Sequence, residues 1–352
     1  TGRTSTTVVT VTVVNTLTNI NAKKTWRLGA WSDTTGYPSA ITLFEQRLCF
    51  ANTTAQPQRI WMSTTASYED FSPSATGGTV ASSDAVTYQL GSNKINAIRW
   101  LAGARDLTIG TVGEELNLRG TNNEAISAAN PPLVRSSTTE GSANLAPIRI
   151  GSRTIFVQRS RRELRELAYS FQVDDYVTEE LSLLVDHYFT APLSIVCVVY
   201  QNKPNRTLWV VRSDGALLAL CRYLSEKVQG WSQCYSTAAS GTYTWVTVIP
   251  SVDLLDDQAW FVTRRTINGS TKYHIELQRQ DMNTHCGLTY SGTPTATVTG
   301  LWHLEGQTVK VVGDGAVYQD QVVTNGSVSL AYGAATGPAA SAVEVGLAIT
   351  PN

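Results

Sequence analysis

The stretch RTLWVVRSDGALLALCRYL, residues 206–224, consists of two apolar runs separated by Ser-Asp-Gly. Short runs rich in Val, Leu and Trp and bounded by turn residues read as β-strands, and Asp-Gly between two of them reads as a hairpin turn. The same arrangement returns about every fifty residues: QRLCFANT with RIWMS (46–63), DLTIGTV with EELNLRG (106–120), RTIFVQRS with ELRELAYSF (153–171) and QAWFVTRR with KYHIELQRQ (258–280). A unit of antiparallel strands repeating at this period cannot cover its own apolar face, and the usual solution is to stack neighbours as propeller blades. The sequence therefore predicts an all-β protein built around a β-propeller-like domain.

Between the hairpins lie segments rich in Ser, Thr, Asn and Gly, such as SPSATGGTVASSD (72–84) and RGTNNEAISAANPP (119–132). Blades usually have four strands, and NKINAIRWLA and TYTWVTVIP are read as two of the additional ones. Three regions are expected: an N-terminal β segment over 1–30, part of a platform domain; the propeller-like domain over 31–285; and a small β-barrel-like domain over 286–352. In the last, Gly-Asp-Gly (313–315) and Asn-Gly (325–326) mark hairpin turns. One segment departs from the β pattern. TEELSLLVDHYF (178–189) places Leu181, Leu184, Val185 and Tyr188 at helical spacing behind Thr178 as N-cap, which predicts a short amphipathic helix. The opening TGRTSTTVVTVTVVN alternates Thr and Val like a strand and has no initiator Met, so residue 1 is expected to lie inside a longer protein.

The 352 residues are 42% apolar, enough for a sizeable core, and only 16% charged. With 27 basic and 28 acidic side chains the formal net charge is -1, so no global field draws nucleic acid, membrane or an acidic ligand. No stretch approaches the roughly eighteen unbroken apolar residues of a membrane span, and the chain is expected to be soluble. Five cysteines, Cys49, Cys197, Cys221, Cys234 and Cys286, form no CxxC pair. Their odd number and their apolar strand settings point to a reducing compartment.

Chemistry-bearing patterns are sparse. The histidines are His187, His274, His285 and His303. None has a second His, Cys or acid at a metal-ligand spacing; the one candidate is His285 beside Cys286, and neighbours in a strand face opposite sides, so no metal site is expected. No GxSxG elbow, phosphate-cradling GxxxxGK[ST] loop or repeated SxDxGxTW turn occurs, and RSDGA (212–216) reads as an Asp-Gly turn. The cluster RSRRELRE (159–166) interleaves Arg with Glu and reads as a solvated turn or a salt-bridged contact. The tryptophans sit mostly in strand patterns, where they fill the wedge between sheets. Neither an enzyme nor a cofactor is indicated.

Read together, several stretches are similar to a known family. GYPSAITLFEQRLCFANT (36–53) followed by PQRIWMSTTASYEDF (57–71) resembles the signature of the tail nozzle proteins of short-tailed bacteriophages, also called tail tubular protein B or stabilisation proteins. IGTVGEELNLRG, RELRELAYSFQVDDYVTEELSLLVDHYF and YQNKPNRTLWVVRSDGALLALCRYLSEKVQGWSQ follow in the family's order, and LEGQTVKVVGDGAVYQDQVVTNGSVSL is similar to a small β domain that often comes next. The resemblance spans most of residues 30–330. It singles out Gly36, Tyr37, Pro38, Gln46, Arg47, Leu48, Asp214, Gly215, Gly230 and Trp231 as structural motif residues, with Arg47 pairing to a neighbouring strand or subunit.

What the resemblance implies is a non-enzymatic virion subunit assembled in the host cytoplasm, commonly as a hexameric ring below the portal and adaptor, through which double-stranded DNA passes. The implied partners are other copies of the chain, the tail adaptor and tail fibre or spike proteins, with no stable membrane insertion. A near-neutral composition suits such a conduit, because each cation on a phosphate adds salt-sensitive retention. The alternative is a carbohydrate-binding or glycosidase propeller for host-surface attachment. A regulatory interaction propeller of cellular origin is a third possibility.

Overall fold

The computed structural model describes residues 2–3, 9–10, 30–74, 79–91, 96–234, 241–332 and 335–349. The expected platform segment falls almost wholly outside them; within it, β1 (Gly2–Arg3) pairs antiparallel with β2 (Val9–Thr10).

From Ala40 the chain forms a series of antiparallel meanders. Blade 1 is β3 (Ala40–Phe44), β4 (Arg47–Ala51), β5 (Arg59–Met62) and β6 (Val86–Gln89). Blade 2 is β7 (Ile98–Gly103), β8 (Leu107–Thr111), β9 (Glu115–Gly120) and β10 (Pro132–Thr138). Blade 3 is β11 (Ile148–Ile150), β12 (Arg153–Val157), β13 (Leu164–Ser170) and β14 (Asp175–Glu180). Blade 4 is β15 (Ile195–Gln201), β16 (Thr207–Arg212), β17 (Leu217–Tyr223) and β18 (Val228–Cys234). Blade 5 has three strands, β19 (Thr242–Pro250), β20 (Asp257–Ile267) and β21 (Ser270–Leu277). The hairpins legible in the sequence are the second and third strands of each blade. The fold is thus all-β and propeller-like.

Some of these middle strands are covered on both faces because their sheet is sandwiched between its neighbours; every residue of β8 and of β16 is buried. Blades 1 and 2 share one core that includes Ile60, Ile98 and Leu118. Trp100 and Phe156 join blade 2 to blade 3, Ile155 and Leu208 lie in a core common to blades 3 and 4, and Trp209 meets Phe261 edge-on at 5.4 Å between blades 4 and 5. Burying aromatic rings in these wedges removes large apolar areas from water, at roughly 25 cal/mol per Å2.

The C-terminal part contains β22 (His285–Thr295), β23 (Thr297–Thr299), β24 (Thr308–Gly313), β25 (Ala316–Val317), β26 (Gln321–Val322), β27 (Ser327–Ser329), β28 (Ala331–Tyr332), β29 (Ala335–Thr336) and β30 (Ala340–Leu347). Its main sheet runs β22-β30-β24-β25, with β26 also on β24 and two-stranded ribbons β23-β27 and β28-β29. These wrap a separate core that includes Val311, Leu330 and Val345, without the sheet path closing.

The helix expected over 178–189 is not formed. Thr178, Glu179 and Glu180 extend β14 and pair with Leu167, Glu166 and Arg165, and only a 3-10 segment, Leu183–Phe189, follows. Sheet pairing satisfies more backbone groups than one isolated helical turn would, and Leu184, 83% exposed, contributes to no buried stripe. The Arg-Glu cluster is salt-bridged within the chain. Arg165 contacts Glu163 at 2.9 Å and Glu140 at 3.2 Å, while buried Glu166 pairs with Arg153 of its own blade and Arg222 of blade 4.

Candidate functional site

A cleft of about 760 Å3 lies between blade 5 and the C-terminal sheet. This is within the usual range for ligand clefts. One wall is the end of β21 and its continuation, His274–Arg279, and the other is Thr284–Thr289 at the start of β22. Trp209, Tyr243 and Phe261 supply apolar surface, and Trp302 and His303 come from the 3-10 turn Trp302–Leu304.

Three of the four histidines meet here. The rings of His274 and His303 are 6.1 Å apart, and His303 Nε2 lies 2.8 Å from the Cys286 carbonyl oxygen. The Nε2 atoms of His274 and His285 are buried without a hydrogen-bond partner. Arg265, buried on β20, donates to the Cys286 thiol at 2.8 Å and pairs with Glu276.

The sequence argument that His285 and Cys286 face opposite sides does not hold. Cys286 has φ +55°, and the β22–β30 register shifts between His285 and Leu288, so this bulge brings both residues to one cleft. Neither the bulge nor the convergence of residues from four elements had a local signal.

Burial pushes all three imidazoles below their ordinary range. For His274, Arg265 and His303 add to the effect, and for His285 Glu276 partly opposes it. Burial, with Glu276 nearby, also raises the Cys286 thiol to about 11 despite Arg265, so it stays protonated at neutral pH and is a poor nucleophile. Among the described residues no group of three His, Cys, Asp or Glu is arranged to hold a metal ion. The cleft thus sets imidazoles, a protonated thiol and the charged side chains of Glu276 and Arg279 in partly apolar walls.

The motif residues are elsewhere. Gly36, with φ +82°, closes a turn on Ser32, and its missing side chain leaves room for Thr54. Tyr37 donates to Asp33 at 2.9 Å and is otherwise exposed; Pro38 precedes β3. Gln46 has φ +60° in the β3–β4 turn, and Leu48 N–H donates to Ser63 Oγ at 2.9 Å. Arg47, 2% exposed, donates to the carbonyl oxygens of Ser63 (2.6 Å), Asp84 (2.7 Å) and Ser82 (2.8 Å), tying the strands of its own blade.

Asp214 receives two hydrogen bonds from Arg212, at 2.8 and 2.7 Å, which hold its carboxyl below the usual range. Gly215 completes that turn with φ +87°. Trp231 donates to the Leu181 carbonyl oxygen at 2.9 Å, joining blade 4 to the segment that follows blade 3. Gly230 lies in β18 with open space beside it, and nothing around it requires glycine.

No protein-family profile and no curated protein matches the chain. Among solved structures, a protein from Lactobacillus plantarum aligns over 70% of this chain and 89% of its own, at 9% identity and a TM-score of 0.36. A luciferin-regenerating enzyme aligns over 67% of this chain and 89% of its own, at 8% identity and 0.26. The extracellular domain of a one-component system protein from B. thetaiotaomicron aligns over 85% of this chain and 52% of its own, at 9% identity and 0.31. Likeness at this level carries no functional argument, and the fold stands on the sheet topology itself.

Proposed function

We propose that the chain is a non-enzymatic structural subunit of a short-tailed bacteriophage tail, one copy of a nozzle ring through which the DNA genome passes. The observation that carries this reading is where the motif residues lie. Arg47, Asp214, Gly215 and Trp231 hold turns, strands and blade joints, and none of them lines the cleft. A motif series devoted to rigidity fits a part whose task is to keep its shape in an assembly.

Apolar loop tips add support. Val252, Leu254 and Leu255 in the β19–β20 loop and Phe171 in the β13–β14 turn stand out into solvent, as contacts for other copies or for an adaptor would. The test is native mass spectrometry and negative-stain imaging of the protein, alone and mixed with a portal–adaptor complex. A sixfold ring with a central hole wide enough for duplex DNA is expected. A protein that remains monomeric in both conditions, and binds or cuts a glycan, refutes the reading.

A further inference from the structure

Among the described residues blade 5 has three strands where its four predecessors have four, and none of them pairs with the outer side of β21. The ladder geometry identifies which groups are left open. Gln278 N–H donates to Ala259 C=O, and the pairing continues Leu277 with Trp260, Ile275 with Val262 and Tyr273 with Arg264. Hydrogen-bonded pairs alternate along an antiparallel ladder, so the N–H and C=O groups of Tyr273, Ile275 and Leu277 point away from β20, toward the open edge.

The cleft confirms this orientation. Its walls are consecutive residues, His274–Arg279 and Thr284–Thr289, and a strand that presents consecutive residues is facing a cavity with its edge. β22 is itself an edge strand of the C-terminal sheet, with β30 on its other side. Two strand edges therefore face one gap. Natural proteins ordinarily blunt such edges, whereas β21 leaves Tyr273 (63%) and Ile275 (74%) exposed beside its own.

We propose that this cleft is a strand-addition site, which takes an extended polypeptide segment of a partner protein as the fourth strand of blade 5. The occupant's chemistry follows from the two faces. Positions beside Tyr273 and Ile275 call for apolar side chains, in cross-strand contact with them. Alternate positions point toward His274, His285 and Arg265, whose Nε2, Nε2 and Nε atoms are buried and unpartnered, and call for hydroxyl or carboxylate groups. Main-chain hydrogen bonds supply affinity and this alternation supplies specificity. The inference stands independently of the nozzle reading.

A random peptide library panned against the intact protein tests it. Selected peptides should slow amide exchange at Tyr273, Ile275 and Leu277. They should also bind the Ile275→Pro variant at least about tenfold more weakly, since proline removes an outward N–H that the β20 ladder does not use. A second variant, His274→Ala with His285→Ala, leaves the backbone untouched and should select against peptides with inward hydroxyl or carboxylate groups. Failure to select any peptide, or peptides that bind both variants as well as the parent, would overturn the proposal. Concentration-dependent protection of the same three amides in the protein alone would overturn the partner assignment in favour of a second copy.

Discussion

Replacing Arg47 with Met keeps most of the buried stem and removes the guanidinium, which isolates what its three hydrogen bonds contribute. The Ser63 carbonyl oxygen is enclosed, so losing its donor leaves a buried acceptor unsatisfied, at about 1–3 kcal/mol. The carbonyl oxygens of Ser82 and Asp84 lie in a partly exposed loop and can turn to water, at about 0.5–1 kcal/mol each. Against this, burial pulls the Arg47 pKa down, so the native state already carries a desolvation cost that Met relieves. The balance is a loss of about 2–4 kcal/mol, or roughly 5–15 °C in Tm for a domain of this size. Calorimetry reads the total. Hydrogen exchange at the Thr65 amide, which donates to Ser83 C=O at 2.9 Å, reports whether the loop has loosened. Arg47→Lys should fall between the two, because one ammonium cannot span all three acceptors. Stability of Arg47→Met within about 0.5 kcal/mol of the parent, with Thr65 exchange unchanged, would refute the argument.

Glu166→Ala leaves Arg153 and Arg222 without their shared carboxylate and should cost about 3–5 kcal/mol, with Glu166→Gln costing less; thermal unfolding measures both. Gly110→Ala drives a methyl into the Trp100 indole and should cost at least about 1–3 kcal/mol, visible as a lower midpoint and altered tryptophan emission. The three cleft histidines have folded pKa values below their ordinary 6.5, so the unfolded chain takes up protons first as pH falls. Their contribution to stability is present above about pH 6.5 and is lost as pH drops through the folded values. Unfolding midpoints should fall over that window, and a variant with Gln at all three positions should show a flatter profile. Substituting Ser for Val252, Leu254 and Leu255 should leave the midpoint within about 0.5 kcal/mol while weakening ring assembly, followed by native mass spectrometry.

By itself the sequence determined the class of fold and the repeat. Strands β8, β12 and β16 are buried along nearly their whole length, so they are largely apolar, and their runs are visible to any reading of hydrophobic pattern. It also marked turns where backbone geometry restricts the residue, as at Gly36 and Gly215. Outer strands such as β14 alternate between half-buried and exposed positions, and TEELSLL could satisfy a helical period as well as a strand, so pairing with β13 decided the matter.

Only the tertiary structure decided that Arg47 is tied inside its own blade, that Glu166 joins two blades, and that a cleft exists at all. The cleft's walls come from segments far apart in sequence, and a bulge at Cys286 overrides the alternation that would have separated it from His285. Local pattern reports which faces a strand must bury. Which distant side chains then share that buried space depends on how the sheets pack, and no short-range signal encodes it.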